Sequence, residues 1–310
     1  MADESPDALN PMQRAVLDSL ARSPDWQPLP TAVIDDVRRI VHDGLAPIAD
    51  RYSRQKSLWL SKATLAAIHA CEQSFIATRD SFEWNPATAT GTVLHKAIEL
   101  TLHWRGDPVP GDVVDEAIAR LADDQRSIGE YIEAIGAAER AQLRSNVVDL
   151  LTRFEECFPP LKASWRPVTE SAARYELFDG AIVLAGRSDL TLGMPGAKVI
   201  VDFKSGGIHP RHREDLRFYA LVEALRSGMA PRRLATYSLS AARADVEEVS
   251  EGVLQAAARR VIAAAQLVTE LLVDKRPPTR RAGVQCRWCP LNVDCEPGAA
   301  YLRGDVEDET

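Results

Sequence analysis

The chain has 310 residues, of which 45% are hydrophobic, and its formal net charge is −8 at pH 7. This length and composition exclude a disordered chain, because enough apolar surface is available for a substantial core. The negative charge excludes indiscriminate binding to nucleic acid, because the summed field of the molecule repels a polyanion. The first ten residues are acidic and no apolar stretch is long enough to cross a bilayer, so we expect a cytoplasmic protein with no membrane contact.

Helical patterns occupy the first part of the chain. Two of them, PMQRAVLDSLARS and TAVIDDVRRIVHDGLAPIA, lie within residues 1–57, which we interpret as a helical N-terminal extension. A third helix is predicted over ATLAAIHACEQSFIATRD, and a fourth begins at Gly91 in GTVLHKAIELTLHW. Gly106 and the two prolines that follow it end this helix.

The predicted strands come later in the chain. Residues 108–160 are predicted to hold two or three helices, and strand patterns start only near Trp165. These patterns are RYELF, AIVLAGRSDLTL and KVIVDF, joined by short turns. A helix over REDLRFYALVEALRSG, a strand RLATYSLS and an alanine-rich helix from Glu251 to about Leu272 follow, and residues 301–310 form an acidic tail. The pattern predicts an α/β (α+β) chain.

One predicted hairpin places two carboxylates against each other. Pro195-Gly196 suits a type II turn, and in that register Asp189 faces Asp202 while Arg187 faces Lys204. Like charges in this arrangement repel, and a hard divalent ion between them would stabilise the pair. The alternative is that Asp189 forms an ordinary ion pair at a solvated sheet edge. A turn one residue longer would place the aspartates on opposite faces.

Three of the five cysteines are crowded into CRWCPLNVDC, within residues 284–298. In a cytoplasmic chain such crowding indicates metal ligation rather than disulfides. Zinc and a [4Fe–4S] cluster both accept four thiolates, so the spacing leaves both open, and one ligand is missing from this segment. Cys157 lies apart and is predicted to be a small buried apolar residue.

Four motifs occur in a fixed order: GTVLH, GRSDL with VDFKSG, DLRFYAL, and the cysteine cluster. Over roughly residues 58–298 this order resembles the RecB-type branch of the PD-(D/E)XK nuclease superfamily. Within that branch it is most similar to the iron–sulfur nucleases of the AddB subunit and of CRISPR adaptation. The resemblance implies a nuclease domain over 58–300, with a central mixed sheet flanked by helices, a large helical insertion and a C-terminal iron–sulfur staple.

The resemblance also implies which residues form the site. The family's metal-binding histidine corresponds to His95, its second-motif aspartate to Asp189, and its D-x-K motif to Asp202 and Lys204. The metal ligands would then be His95, Asp189 and Asp202. The catalytic residues would be the two aspartates, Lys204 and Tyr219. The alternative roles are a hydrogen bond from His95 to Glu99, an ion pair between Lys204 and Asp189, and simple packing of Tyr219.

Three further positions are candidates. Asp215 stands where the family usually has glutamine, one helical turn before Tyr219. Glu170 is the candidate for an acidic residue on the strand before the second motif, with Glu176 as its competitor. Arg187 shares the polar face of the hairpin.

The resemblance supplies the expected cofactors. Hydrolysis of an anionic phosphodiester requires a metal that neutralises the phosphate and lowers the pKa of the attacking water. A histidine ligand should make the expected site bind Mn²⁺ better than an all-oxygen site would, and Mg²⁺ is the alternative. By family position Cys71 is the fourth ligand beside Cys286, Cys289 and Cys295, which favours a structural [4Fe–4S] cluster over zinc.

The expected function is therefore a metal-dependent DNA nuclease, an exonuclease on DNA ends or single strands, in repair, recombination or antiviral defence. A helicase or other nucleic-acid-processing protein is the expected partner. One alternative is a non-catalytic DNA-end-binding or assembly subunit that keeps the fold and the cluster. A further alternative is a zinc-linked interaction module in which the hairpin is incidental.

Overall fold

The computed structural model describes residues 9–80, 82–124 and 126–304. Its helices are α1 (Pro11–Leu20), α2 (Thr31–Ala49), α3 (Lys62–Ala70), α4 (Glu72–Thr78), α5 (Pro86–Thr101), α6 (Pro110–Asp124), α7 (Arg126–Ala134), α8 (Ala137–Cys157), α9 (Arg211–Ser227), α10 (Glu251–Leu272) and α11 (Glu296–Arg303). Its strands are β1 (Leu58–Leu60), β2 (Val168–Leu177), β3 (Ile182–Leu192), β4 (Val199–Lys204), β5 (Arg233–Ser238) and β6 (Arg243–Glu248).

The strands form one mixed sheet that is built around β3. Strand β2 pairs antiparallel with β3 along most of its length. Because β2 occupies one edge of β3, the other edge is shared: β1 pairs parallel with residues 182–184 and β4 pairs antiparallel with residues 190–192. Strand β5 then pairs parallel with all of β4, and β6 pairs antiparallel with β5. Residues 202–204 of β4 therefore separate from β3 and leave a fork in the sheet.

Helices cover both faces of this sheet. One apolar core lies between the sheet and α2, α3, α9 and α10, and the other lies between the sheet and α5, α6, α7 and α8. Side chains of β4 alternate between them, with Ile200 in the first core and Val201 and Phe203 in the second. The predicted fold class, a central mixed sheet flanked by helices, is confirmed.

The predicted hairpin register is confirmed where the strands pair. Leu190 pairs with Val201, and Leu192 pairs with Val199. The Ala197 amide donates a hydrogen bond to the Met194 carbonyl at 3.0 Å, and Gly196 has a φ of +79°, as the third position of a type II turn requires. The predicted insertion contains three helices, α6, α7 and α8.

Several element boundaries were wrong. The single helix predicted over residues 63–80 is broken at Cys71, whose backbone is extended, into α3 and α4. Helix α5 begins at Pro86 rather than Gly91, because the Asn85 side chain accepts hydrogen bonds from the first-turn amides of Ala87 and Thr88. Strands β1 and β6 were not predicted.

Strands β1 and β6 lack the patterns that identify strands in a sequence. Strand β1 has three residues, which is too short for a periodic signal. Strand β6, RADVEE, is mostly charged and lies at the edge of the sheet. Edge strands commonly carry charges, so β6 gives no apolar alternation.

The N-terminal end of the chain contributes two helices to the fold. Helices α1 and α2 lie within the predicted N-terminal extension, and their buried side chains join the two cores. Residues 1–8 and 305–310, which include most of the predicted acidic tail, lie outside the described residues. Within the described part of the chain, no helix has both the length and the apolar character of a membrane span.

Candidate active site

The polar cluster lies in the fork between β3 and β4. The ladder between these strands ends at Leu190 and Val201, and beyond it the Asp189 side chain takes the place of a strand partner. Its Oδ2 accepts a hydrogen bond from the Phe203 amide at 2.7 Å. His95, on α5, reaches the carbonyl of the same residue with Nε2 at 3.2 Å. The backbone of Phe203 therefore orients both side chains.

The contact with Phe203 also fixes which nitrogen of His95 can bind a cation. A carbonyl only accepts hydrogen bonds, so Nε2 carries the proton in the neutral ring. The lone pair of Nδ1 then points into the fork, where Nδ1 lies 3.4 Å from Asp189 Oδ1. Metal-binding histidines are commonly oriented through the other ring nitrogen in this way. Glu99, the alternative partner, pairs instead with Lys96 at 3.1 Å.

Glu170 completes a group of three ligand atoms. It has a φ of +49°, and the pairing between β2 and β3 skips it, although its neighbours pair on both sides. The ligand atoms of His95, Glu170 and Asp189 all lie within 4.8 Å of one another. Glu176, the competing candidate, pairs with Arg174 at 2.7 Å. Exposed Arg187 lies 3.5 Å from a Glu170 oxygen at the outer side of the group.

Asp202 is fully buried and lies between two ammonium groups. Lys62 Nζ is 3.1 Å from Oδ1, and Lys204 Nζ is 2.5 Å from Oδ2. Among the described residues, only Oδ1 accepts a well-aligned hydrogen bond, because the approach of Lys204 to Oδ2 is poorly directed. Burial raises the pKa of Asp202, but the two lysines outweigh it and hold the pKa below its usual range.

Asp189 shows the opposite electrostatic behaviour. Burial raises the pKa of this carboxyl to about 6, His95 opposes the shift, and the charge of Asp202 adds to it. The two aspartates therefore lie close enough to repel each other, as the hairpin register predicted. Asp202 is paired with two lysines, whereas the nearest basic group to Asp189 is His95, which is charged only when it is protonated.

Lys62 was missed by the sequence analysis. It is the first residue of α3, directly after β1, and its position is set by Ser61, whose side chain caps the helix at the Thr64 amide. Its Nζ lies 5.1 Å from the centre of the Tyr219 ring. A lone lysine in LSKATL carries no motif, and only recognition of β1 as a neighbour of β3 would have placed it in the fork.

Helix α9 closes the other side of the cluster. Tyr219 packs on Gly186 of β3 so closely that a Cβ atom at position 186 would overlap the ring. Burial raises the pKa of Tyr219 to about 12, and Lys62 opposes this shift. Asp215 is half-buried one turn earlier; burial raises its pKa, while Lys62 and Lys204 lower it. Asp215 therefore lies within electrostatic reach of both lysines.

The predicted site residues thus form two adjoining groups. His95, Glu170 and Asp189 offer one nitrogen and two carboxylates, which are suitable ligands for Mn²⁺ or Mg²⁺. The second group surrounds Asp202 and consists of Lys62, Lys204, Asp215 and Tyr219. The alternative ion pair of Lys204 with Asp189 is replaced by its contact with Asp202.

The four cysteines predicted to bind one group lie together. Cys71, Cys286, Cys289 and Cys295 line a single cavity of about 20 Å³. A Cβ atom at Gly298 would lie 3.4 Å from two of their sulfur atoms. No three of these four sulfurs lie within 4.8 Å of one another. Cys157 is buried elsewhere, 3.7 Å from the Met12 sulfur, in agreement with its predicted role.

The sequence of the chain matches a known family of nucleases. A model of the PD-(D/E)XK nuclease superfamily matches residues 60–296, and the chain belongs to that superfamily. It is therefore a member of a family of nucleases, which typically use divalent metal ions, and it has a candidate acidic metal site.

Solved structures show distant similarity to the chain. One is the crystal structure of a "Putative exonuclease" from Eubacterium rectale, with 13% identity, a TM-score of 0.45, and coverage of 84% of this chain and 92% of that chain. Another is SSO0001, with 14% identity, a TM-score of 0.30, and coverage of 67% of this chain and 96% of that chain. No curated protein matches the sequence significantly.

Proposed function

We propose that this chain is a divalent-metal-dependent DNA nuclease of the RecB-type branch, an exonuclease that acts on DNA ends or single strands. The observation that carries the proposal is the convergence of His95, Glu170 and Asp189 within 4.8 Å, beside the Asp202 and Lys204 pair. A buried carboxylate with a raised pKa in a fork of the sheet is a common mark of a functional site.

The residues of the fork would divide the chemistry among them. His95, Glu170 and Asp189, together with Asp202, would hold Mn²⁺ or Mg²⁺. That ion supplies charge neutralisation at the phosphate and a more acidic bound water. Lys204 orients the attacking water and stabilises negative charge on the phosphate oxygens. Tyr219 holds a neighbouring phosphate.

A structural [4Fe–4S] cluster is a second part of the proposal. A tetrahedral zinc site with Zn–S bonds of about 2.3 Å brings its sulfurs to about 3.8 Å from one another. The four cysteines line one cavity, as ligands of either group would. The resemblance to iron–sulfur nucleases favours the cluster over zinc.

The proposed setting is cytoplasmic DNA repair, recombination or antiviral defence. The sequence contains no Walker phosphate-binding motif, and we propose a helicase or other nucleic-acid-processing protein as the partner that delivers DNA.

The test is degradation of end-labelled linear single- and double-stranded DNA beside closed circles, with Mn²⁺ and with Mg²⁺. We expect linear DNA to be degraded, and Asp202→Asn and Lys204→Met to lose about 100-fold or more of the rate. Lys198→Met is the matched control, because Lys198 also pairs with a buried carboxylate, Glu223, at 2.7 Å, but contacts no residue of the fork.

Two outcomes would contradict the proposal. Full activity of both folded fork variants would exclude the assigned residues. Binding of DNA ends without cleavage under any divalent ion would instead identify a non-catalytic end-binding subunit.

A further inference from the structure

Lys62 fills a position beside Asp202 that a cation would otherwise take. Its ammonium group lies 3.1 Å from Oδ1 and donates the only well-aligned hydrogen bond that this fully buried carboxylate receives among the described residues. Lys204 approaches the other oxygen, Oδ2. Each oxygen of Asp202 therefore faces an ammonium group, and Lys62 supplies the one on Oδ1.

Neighbouring residues fix the position of Lys62. Strand β1 pairs with β3 up to Leu60, and the Ser61 cap then starts α3 at Lys62. The ammonium lies over the Tyr219 ring, with the centroid at 5.1 Å, where the ring face attracts a cation. Tyr219 is itself held against Gly186. These contacts restrict the long side chain to one place.

A second carboxylate lies on the same side of the cluster. Asp215 is within electrostatic reach of Lys62, Lys204 and Asp202, and no hydrogen bond of its side chain is found among the described residues. Arg260 also acts on Asp215 but pairs with Glu214 at 3.8 Å. The ammonium of Lys62 contacts Asp202 at 3.1 Å, and Asp215 adds a second negative charge within its electrostatic reach. Carboxylates of this kind are the ligands that divalent ions prefer.

The summed charge of the two groups in the fork also favours a single divalent ion. The two groups contain four carboxylates, Glu170, Asp189, Asp202 and Asp215, and two ammonium groups, Lys62 and Lys204. Exposed Arg187 lies at the solvent edge, where its charge is screened. One divalent ion neutralises the remaining charge, whereas two ions would leave the two groups with a net positive charge in a partly desolvated site.

We propose that Lys62 is a positioning residue that occupies the second cation position of the fork, so that this chain binds a single divalent ion. The inference deepens the proposed nuclease function and rests on it for the role of the bound ion. Lys62 holds Asp202 through Oδ1.

The test counts the ions that bind at the fork. Titration calorimetry and Mn²⁺ electron paramagnetic resonance on the full chain should give one ion for the wild type. Lys62→Met, which keeps the length of the side chain and removes its charge, should bind two. Lys62→Arg restores a cation and should return the count to one. Lys198→Met should stay at one, although it also removes a lysine from a buried ion pair.

Two ions bound to the wild type, or one ion bound to a folded Lys62→Met, overturns the proposal. Should Lys62→Met fail to fold, Lys62→Gln replaces it and must also bind two ions. The number of ions bound by the wild type tests the proposal independently of either variant. A wild type that binds one ion but cleaves no DNA contradicts the proposed nuclease function and leaves the count for Lys62 intact.

Discussion

Asp189 is a buried carboxyl group whose ionised form is disfavoured by its surroundings. The carboxyl is buried beside the charge of Asp202, and its pKa is raised to about 6. Its amide contact from Phe203 orients the side chain but does not neutralise it. Ionised Asp189 therefore costs folding free energy until a cation binds, which is how a site retains a strong demand for its metal.

The pH dependence of stability follows from this shift. A carboxyl whose pKa is raised by folding stabilises the fold below its unfolded value of 3.8, and this contribution is lost as the pH rises through about 6. In metal-free protein well above that pKa, Asp189→Asn should therefore raise the free energy of unfolding by about 1–3 kcal/mol. Urea unfolding in the presence of a chelator measures this.

Two further stability measurements on Asp189→Asn serve as controls. Well below the unfolded pKa both proteins carry a neutral group, so the difference should vanish. Added Mn²⁺ should stabilise the wild type more than the variant. A variant that is less stable than the wild type at both pH extremes would contradict the assignment of Asp189 as a destabilised carboxylate.

The sequence could place Asp189, Asp202 and Lys204 in one region, because strand alternation and turn geometry depend on local sequence, and the family resemblance added His95. It could not place Lys62, whose contact spans 140 positions of the chain. It also left Glu170 and Glu176 open. The unusual backbone of Glu170, with a φ of +49°, directs that side chain to the ligand group, and no local pattern indicates such a conformation.

At the scale of elements, the packing of α9 on β3 depends on one missing side chain. A Cβ atom at Gly186 would lie 2.8 Å from Cδ1 of Tyr219 and closer still to its Cε1. Gly186→Ala should therefore lower the free energy of unfolding by about 1–3 kcal/mol, because the ring must move. Displacement of the ring would also remove its contact with the Lys62 ammonium. The number of Mn²⁺ ions bound per chain should therefore be measured together with urea unfolding.

Gly91, in the interior of α5, is the matched control. A Cβ atom there meets no atom within 4 Å, and alanine is a better helix former than glycine. Gly91→Ala should raise the free energy of unfolding by up to about 1 kcal/mol. Equal effects of the two substitutions would show that Gly186 is not needed for close packing.

The sequence predicted the long helices best. Their apolar residues recur over several turns, as in α2 with Ile34, Val37, Val41 and Leu45 buried along one face. The break at Cys71 was missed because the apolar pattern continues across it. The extended backbone there follows from tertiary contacts instead: the Gln73 amide donates to the Thr279 carbonyl at 3.0 Å.

At the scale of the whole molecule, the segment after α10 returns to the start of α4. Arg276 donates to both oxygens of Glu72 at 2.9 and 3.0 Å, and the Thr279 amide donates to Glu72 at 2.8 Å. These contacts deliver the C-terminal cysteines to Cys71. The link joins positions 215 residues apart at Ala70 and Gln285, so it closes a loop that contains the insertion and all strands from β2 to β6.

Removal of one thiol tests the proposed cluster. Cys71→Ser, purified without oxygen, should lose its iron, its sulfide and its broad visible absorbance, and it should unfold at a lower temperature, because the bound group contributes folding free energy. Cys157→Ser should keep all three properties, since Cys157 contacts Met12 instead. A colourless wild type that contains zinc and no iron would contradict the cluster.

Helix α3 has Lys62 as its first residue and is followed directly by Cys71. Its nine residues make a rigid rod of about 13 Å between the cation that faces Asp202 and the cysteine cavity. A rod transmits displacement from one end to the other. A shift of Cys71 along the helix axis would therefore change the position of Lys62 beside Asp202.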